Sequence, residues 1–410
     1  MHSIQEIQSS LYWIGANDRR LERFENLFPI PQGVSYNSYL FLDTKTALLD
    51  TVDSSVTQQF LENVTYTLKG RTLDYLVVNH MEPDHCANIE ELVRRYPQVQ
   101  VVGNKKTFQL FSQFYTLDIE KNRYLVKEGD ILDLGEHRLE FFFAPMVHWP
   151  EVMLTYERTK NILFSADAFG TFGALSGNLF ADQVEYERHF LSETRRYYAN
   201  ILGKFGSQVQ AAFSKLPIAS ISMICPLHGP IYRENIQYIF DKYQRWSTYT
   251  PERVGVVLAY ASMYGNTESV VNTLAQLLSE RGIKDIRMFD VSRTHLSDIV
   301  GEVWENSHLV IASPTYNMHL YSGMVGLLED LSALGLRNRK VAIIGNYSWV
   351  SAAKKSMEEM VSSWKDCEIL ASMDIRSSLK DGQLPELVAM ADVIADSMEQ
   401  QKFQASVQNN

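Results

Sequence analysis

The sequence predicts an α/β protein of two domains: a sheet-on-sheet sandwich with helices outside it, then a doubly wound parallel sheet. Three observations predict this. Short alternating strands interleaved with helical segments fill the N-terminal part. Apolar strand runs alternate with amphipathic helices in the C-terminal part. A proline-bearing segment at residues 245–253 separates the two.

The domains are set at 1–250 and 251–410, both ordinary domain sizes, and the 410-residue length agrees with two or three domains. A helix over 234–243 is expected to end before the linker, where Pro251 forbids its continuation. In the first domain, strands are expected over 38–42, 46–50, 138–142 and 153–156, with helices over 90–95 and 106–114. In the second, the runs 254–260, 309–313, 341–345 and 369–373 read as parallel strands buried on both faces. Between the first two of these, residues 269–278 place Val270, Val271, Leu274 and Leu277 near one helix face, and Gly282 supplies a C-terminal stop. The polar tail after Met398 is expected to fray.

Composition narrows the function classes. Hydrophobic residues at 45% and charged residues at 21% exclude a mostly disordered chain. A net charge of -11 argues against a nucleic-acid binder, which needs a cationic face. Cys86, Cys225 and Cys367 form no CxxC pair, so neither a disulfide framework nor a zinc ribbon is expected. Such sparse cysteine use fits a reducing, cytoplasmic compartment, with Cys86 and Cys225 read as buried small hydrophobes. No secretory pattern opens the sequence, and no apolar run is long enough to predict a membrane span.

Chemistry concentrates at strand ends. His80, Met81, Glu82, Pro83, Asp84 and His85 follow the apolar run 73–78, giving four ligand types within six residues. Such a cluster repels itself and resists burial without a cation. His148, Asp167 and His228 each follow another strand-like run. Taken singly these three are ordinary loop residues. Taken with the cluster, His80, Glu82, Asp84, His148, Asp167 and His228 offer three imidazoles and three carboxylates. Two divalent ions would be neutralised by those carboxylates and one hydroxide. A nitrogen and oxygen donor set without thiolate favours iron, manganese or zinc, and Asp167 has the two oxygens needed to bridge a pair. Zinc would serve hydrolysis and iron the reduction of a small molecule, and ligand type alone leaves both open.

The second domain carries three loops of another kind. Ser262, Met263, Tyr264, Gly265, Asn266 and Thr267 join the run 254–260 to a helix starting near Glu268. Hydroxyls and helix N-terminal amides there make a phosphate cradle. The loop holds no Lys or Arg and no GxGxxG pattern, so it suits a mononucleotide that stays bound rather than phosphoryl transfer. Ser313, Pro314, Thr315, Tyr316 and Asn317 form a second loop, and Gly345, Asn346, Tyr347, Ser348 and Trp349 a third. Backbone donors and aromatic faces at neighbouring strand ends suit a flat isoalloxazine at a topological switch point.

These motifs resemble the flavodiiron proteins, or A-type flavoproteins, over nearly the whole chain. The family pattern H-x-E-x-D-H stands here as His80, Glu82, Asp84 and His85, and S-x-Y-G-N-T as residues 262–267. The resemblance implies a metallo-β-lactamase-like αββα sandwich followed by a flavodoxin-like domain, with FMN and two non-haem Fe ions as cofactors. It implies one iron on His80, Glu82 and His148, a second on Asp84 and His228, and Asp167 bridging. His85 is kept as a group behind the ligands or as a further ligand. Tyr197 or Tyr198 is expected to line the pocket. Glu82, where zinc hydrolases of this fold usually have His, separates the diiron branch from them.

The activity implied by the resemblance is reduction of dioxygen to water or of nitric oxide to nitrous oxide. Four electrons for dioxygen match two from a ferrous pair and two from reduced FMN. The resemblance also implies a head-to-tail homodimer, or a dimer of dimers. A separate electron donor is expected, rubredoxin or a flavin reductase, since no such domain is fused. The alternative is a dinuclear zinc hydrolase joined to a flavodoxin-like module. A third reading is an electron shuttle with a vestigial metal domain. No nucleic-acid or membrane partner is expected.

Overall fold

The computed structural model describes residues 2–408. The chain divides into two compact units, Met1–Ser247 and Thr248–Asn410.

The first unit packs two mixed sheets face to face. One runs in the order Gln5–Gln8, Leu11–Trp13, Tyr39–Leu42, Thr46–Leu49, Tyr75–Val77, Gln100–Gly103 and Arg123–Leu125. Its first members pair antiparallel and its last three pairings are parallel. The other runs Ile131–Asp133, Arg138–Phe143, Met153–Glu157, Ile162–Phe164 and Met223–Cys225, with only the final pair parallel. Inward residues of both sheets interdigitate: Leu11, Tyr39, Phe41, Leu49 and Val77 from one, Leu139, Phe141, Met153 and Phe164 from the other. This is the alternation expected of packed sheets. The helix Thr57–Leu68 turns Phe60, Leu61 and Val64 inward. The helix Lys105–Phe114 starts on a reciprocal cap in which Asn104 accepts from the Thr107 amide and Thr107 from the Asn104 amide.

The second unit is a parallel sheet in the order Ile286–Asp290, Arg253–Tyr260, Asn306–Tyr316, Lys340–Tyr347, Glu368–Arg376. Numbered along the chain this is 2-1-3-4-5, with the order reversing between the first and third strands. Val256, Leu258, Val310, Ala312, Ala342 and Ile344 pack against Val270, Val271 and Leu274 of the helix Asn266–Glu280 and against the C-terminal helix. Buried Arg339 ties this unit together by donating to the carbonyls of Tyr249, Val303, Trp304, Arg337 and Asn338.

Three expectations need correction. The strand Ile286–Asp290 escapes the apolar-run criterion, because at the sheet edge it is only partly buried and lacks the continuous apolar run of its neighbours. The helix Ile236–Ser247 extends into the segment read as linker, since Tyr243 and Trp246 are fully buried and prolong its inner face. The tail expected to fray instead continues, as far as it is described, the helix Leu384–Gln408, and residues 409 and 410 of that expectation lie outside the described residues. It contains neither Gly nor Pro, and Gln, Lys, Glu and Ala are good helix formers. Cys86 and Cys225 are buried and unpaired. Among the described residues no helix is long and apolar enough to cross a membrane.

Phe141 is wholly buried between the two sheets. Phe141→Ala is expected to cost the first unit about 3–5 kcal/mol, measured by urea unfolding followed in the near-ultraviolet circular dichroism.

Candidate dinuclear metal centre and flavin loops

Each candidate ligand of the first unit sits in the connection that follows the carboxyl end of a strand. After Tyr75–Val77 the chain is fixed by buried Asp50, which accepts from the Asn79 amide (2.7 Å), the Asn79 side chain (2.8 Å) and the His80 amide (3.2 Å). Burial raises the Asp50 pKa to about 6, against the pull of those donors and of His85. Pro83 then opens the single helical turn Pro83–Cys86, which carries Asp84 and His85. Thr51 holds that turn, its amide and hydroxyl both donating to the His85 carbonyl.

His228 is oriented by its Nδ1, which lies 2.8 Å from the Ser35 carbonyl, leaving Nε2 to face the other candidates. Gly229 follows at φ 79°, where a Cβ would stand 2.1 Å from Thr171 Cγ2, so only glycine fits. Asn37 secures this loop, donating to the carbonyls of Pro226 and Gly229 and accepting from the Trp13 indole, all at 2.9 Å.

The side chains converge on two adjoining groups, His80, Glu82, His148 and Asp167 in one, Asp84, His85 and His228 in the other. Asp167 lies between them. Its Oδ2 is 3.3 Å from His80 Nε2 and 3.1 Å from His148 Nε2, and its Oδ1 is 3.1 Å from His85 Nε2 and 3.7 Å from His228 Nε2. Glu82 Oε2 is 3.2 Å from His80 Nε2 and 3.0 Å from His148 Nε2. Asp84 Oδ2 is 3.4 Å from His85 Nε2 and 3.3 Å from His228 Nε2. His85, whose place among the ligands the sequence leaves open, thus turns its Nε2 into the second group.

Electrostatics agree with a cation site. Asp84 Oδ1 and Oδ2, Asp167 Oδ1 and the Nε2 atoms of His85 and His228 are buried without a hydrogen-bond partner among the described residues. Atoms left this way cost free energy that coordination of a cation removes. Burial opposes charge on His80, yet Asp167, Glu151 and Glu82 outweigh it and hold the imidazole well above its usual value. The same balance, with Asp167 and Glu82 as partners, raises His148 to about 9. Burial would raise Asp167, but His85, His80 and His148 hold it well below the usual carboxylate range. The donor set is imidazole nitrogen and carboxylate oxygen with no thiolate, which fits two divalent ions such as iron.

Sequence reasoning missed Glu151. Its Oε1 lies 2.8 Å from His80 Nδ1 and accepts from the Met81 amide at 2.8 Å, so it fixes the His80 tautomer and ring direction. Only its place three residues after His148 hinted at this. The Tyr197–Tyr198 alternative is resolved by packing. The Tyr197 ring stands 5.6 Å from the His228 ring, with its hydroxyl buried and without a hydrogen-bond partner among the described residues. Tyr198 packs instead on Tyr243 and Trp246. Phe24, from the hairpin Arg23–Phe24 and Phe28–Pro29, meets the His228 ring edge-on at 5.2 Å and packs with Phe172 and Tyr197.

In the second unit the three predicted segments lie at the carboxyl ends of adjacent strands. Residues 313–316 and 345–347, expected as loops, are instead strand residues of Asn306–Tyr316 and Lys340–Tyr347, because the parallel ladder runs on through Ser313 with Gly345 and Pro314 with Asn346. Ser262 Oγ accepts from the amides of Gly265 and Glu268. The helix Asn266–Glu280 begins after Gly265, at φ 85° and without a side chain to cap it; Ser262 takes the Glu268 amide, and the amides ahead of it face an anion site. Thr267 is buried, while Tyr264 and Trp349 are 91% and 83% exposed, as uncovered aromatic faces beside an open cradle. Met263 and Tyr316 are also exposed. Ser313 and Gly345 are buried, Asn317 adopts φ 49°, and Asn346 turns away to donate to the Ser377 carbonyl. Uncapped amides and aromatic loops fit a phosphorylated flavin.

A paired-sheet unit with a dinuclear cation site, joined to a flavodoxin-like unit, defines an oxidoreductase with a metal and a flavin cofactor. The family models agree: residues 34–229 match the ODP family beta lactamase and 258–366 match flavodoxin. The anaerobic nitric oxide reductase flavorubredoxin of Aeromonas hydrophila is 31% identical, over 94% of this chain and 77% of its own. Rubredoxin oxygen:oxidoreductase from the anaerobe Desulfovibrio gigas superposes with a TM-score of 0.89 at 26% identity, covering 97% of this chain and 99% of that one. The flavodiiron protein of Giardia intestinalis shares the fold, with a TM-score of 0.90 at 22% identity over 98% of both chains. The chain belongs to the flavodiiron protein family, whose cofactors are FMN and a pair of non-haem irons.

Two outcomes are expected of the metal centre. Glu151→Gln should weaken iron binding by roughly 10–100-fold, measured by competition with a chelator. Because the neighbouring carboxylates favour the protonated form of His80 and His148 in the metal-free protein, ferrous iron is expected to displace protons on binding. Proton release, read with a pH indicator, should accompany iron uptake, and affinity should fall as pH drops from about 8 to 6.

Proposed function

We propose that the protein reduces dioxygen to water, or nitric oxide to nitrous oxide, at the dinuclear site, with electrons delivered through FMN. The observation that carries this reading is the meeting of two thiolate-free groups on Asp167, with Glu82 in the position that separates this branch from zinc hydrolases. The names of the relatives support it: one is a nitric oxide reductase and another a rubredoxin oxygen:oxidoreductase.

In this reading His80, Glu82 and His148 would hold one iron, Asp84, His85 and His228 would hold the other, and Asp167, between the two groups, would be available to both. When bound, the ferrous pair and reduced FMN supply the electrons. The chain's residues supply the surroundings. Glu151 and Ser35 fix His80 and His228 from behind. Phe24 shields the His228 ring and Phe172 packs behind it on Phe24 and Tyr197, while the Tyr197 hydroxyl offers a hydrogen bond beside His228. The Ser262–Thr267 loop would hold the phosphate of FMN, and the exposed faces of Tyr316 and Trp349 would receive its ring system. The working form is a head-to-tail homodimer receiving electrons from a separate donor such as rubredoxin. Three unpaired cysteines support a reducing, cytoplasmic setting.

The test compares turnover of reduced enzyme with dioxygen and with nitric oxide, alongside metal analysis. Two irons per chain and turnover of at least one gas are expected, and zinc in place of iron would overturn the reading. Asp84→Ala is expected to abolish gas reduction while FMN stays bound, read by flavin absorbance after gel filtration.

A further inference from the structure

Thr315 belongs to the second flavin loop in sequence, but its hydroxyl is committed elsewhere. Its Oγ1 accepts from the amides of Ala352 and Ala353, each at 3.1 Å. These amides open the helix Ala353–Ser362, whose own N-cap residue, Ala352, provides no side-chain acceptor. Helix starts are ordinarily capped from within, by Ser, Thr, Asp or Asn just before the first turn. Here the cap comes from a residue 37 and 38 positions earlier, on a different strand end.

The bond joins the end of the strand Asn306–Tyr316 to the loop that follows the strand Lys340–Tyr347. Thr315 immediately precedes Tyr316, 47% exposed, and Ala352 ends the loop that bears Trp349. The far side of the Trp349 loop is tied to the next strand: Asn346 donates to the Ser377 carbonyl at 3.0 Å, Ser348 and Ser377 hydroxyls meet at 3.2 Å, and Ser351 donates to Asp374 at 2.9 Å. Those ties fix the loop against its outer neighbour. On the side facing Tyr316 the ladder pairs Ser313 with Gly345 and Pro314 with Asn346, and beyond its end the Thr315 hydroxyl supplies a side-chain tie to the start of the helix after Trp349.

We infer that Thr315 is a positioning residue, whose hydroxyl sets the spacing between the Tyr316 and Trp349 loops and so the affinity and potential of the flavin between them. The inference rests on the reading that these loops hold FMN. A cap whose role is only structural would stabilise the helix and leave the flavin's properties unchanged.

FMN is titrated into flavin-free, full-length protein and followed by quenching of its fluorescence, in the parent, Thr315→Val and Thr315→Ser. Valine keeps the shape and removes the acceptor, and serine restores it. The Kd of Thr315→Val is expected to rise roughly tenfold, equivalent to about 1.4 kcal/mol, with a shift in the bound flavin's potential and recovery of both in Thr315→Ser. An unchanged Kd and potential in Thr315→Val, whatever its Tm, overturns the proposal. A second arm needs no variant: in the flavin-free parent, the Ala352 and Ala353 amides should be protected from hydrogen exchange, and fast exchange at both overturns it. If Thr315→Val fails to fold, this arm decides. A parent that binds no FMN overturns the flavin reading and the proposal with it, whereas equal binding by parent and Thr315→Val overturns the proposal alone.

Discussion

One buried carboxylate organises the first unit. Asp167 is fully buried, with four imidazoles around its two oxygens, two on each side. In a medium where charge is poorly solvated, such a group holds its place only if opposite charge surrounds it. The loops that meet here come from strand ends scattered along the unit, and those of His80 and His228 are braced from behind by buried groups. Asp50 braces the His80 loop, Glu151 the His80 ring, Ser35 the His228 ring. The sheets supply rigidity, and the polar layer over their carboxyl edge converts rigidity into a fixed arrangement of donors.

The second unit meets its ligand in a different way. Nothing in its three loops is strongly charged, and the aromatic side chains stand in the open. Phosphate recognition by amides and ring recognition by faces requires geometry rather than charge. The loops are therefore shaped chiefly by hydrogen bonds among themselves and with neighbouring strand ends.

Much of this is legible in the sequence because it is local or periodic. The parallel strands of the second unit announce themselves as apolar runs, and the edge strand Ile286–Asp290 does not because half its surroundings are not core. Clustering of His80, Glu82, Asp84 and His85 within one strand-end loop marks the metal centre without any knowledge of the fold. The direction of His85 is not legible, since ring orientation depends on what packs behind it. Nor is Glu151, whose partner lies 71 residues earlier, or Tyr197 over Tyr198, since adjacent helical positions differ only in which face they present. The helix through Ser247 shows the same limit: burial of Trp246, a tertiary fact, outweighs the linker-like composition around it.

The Asn37 side chain has a bearing on how the protein is born. Through one amide it joins Trp13, near the N-terminus, to the carbonyls of Pro226 and Gly229 on either side of His228, separations of 24, 189 and 192 residues. A chain emerging from the ribosome can raise its early strands long before residue 229 exists. The seat of His228 nevertheless stays unfinished until that loop arrives. Maturation of the centre is thereby placed at the close of the first unit's synthesis, so a truncated nascent chain would expose acids and imidazoles without their last partner.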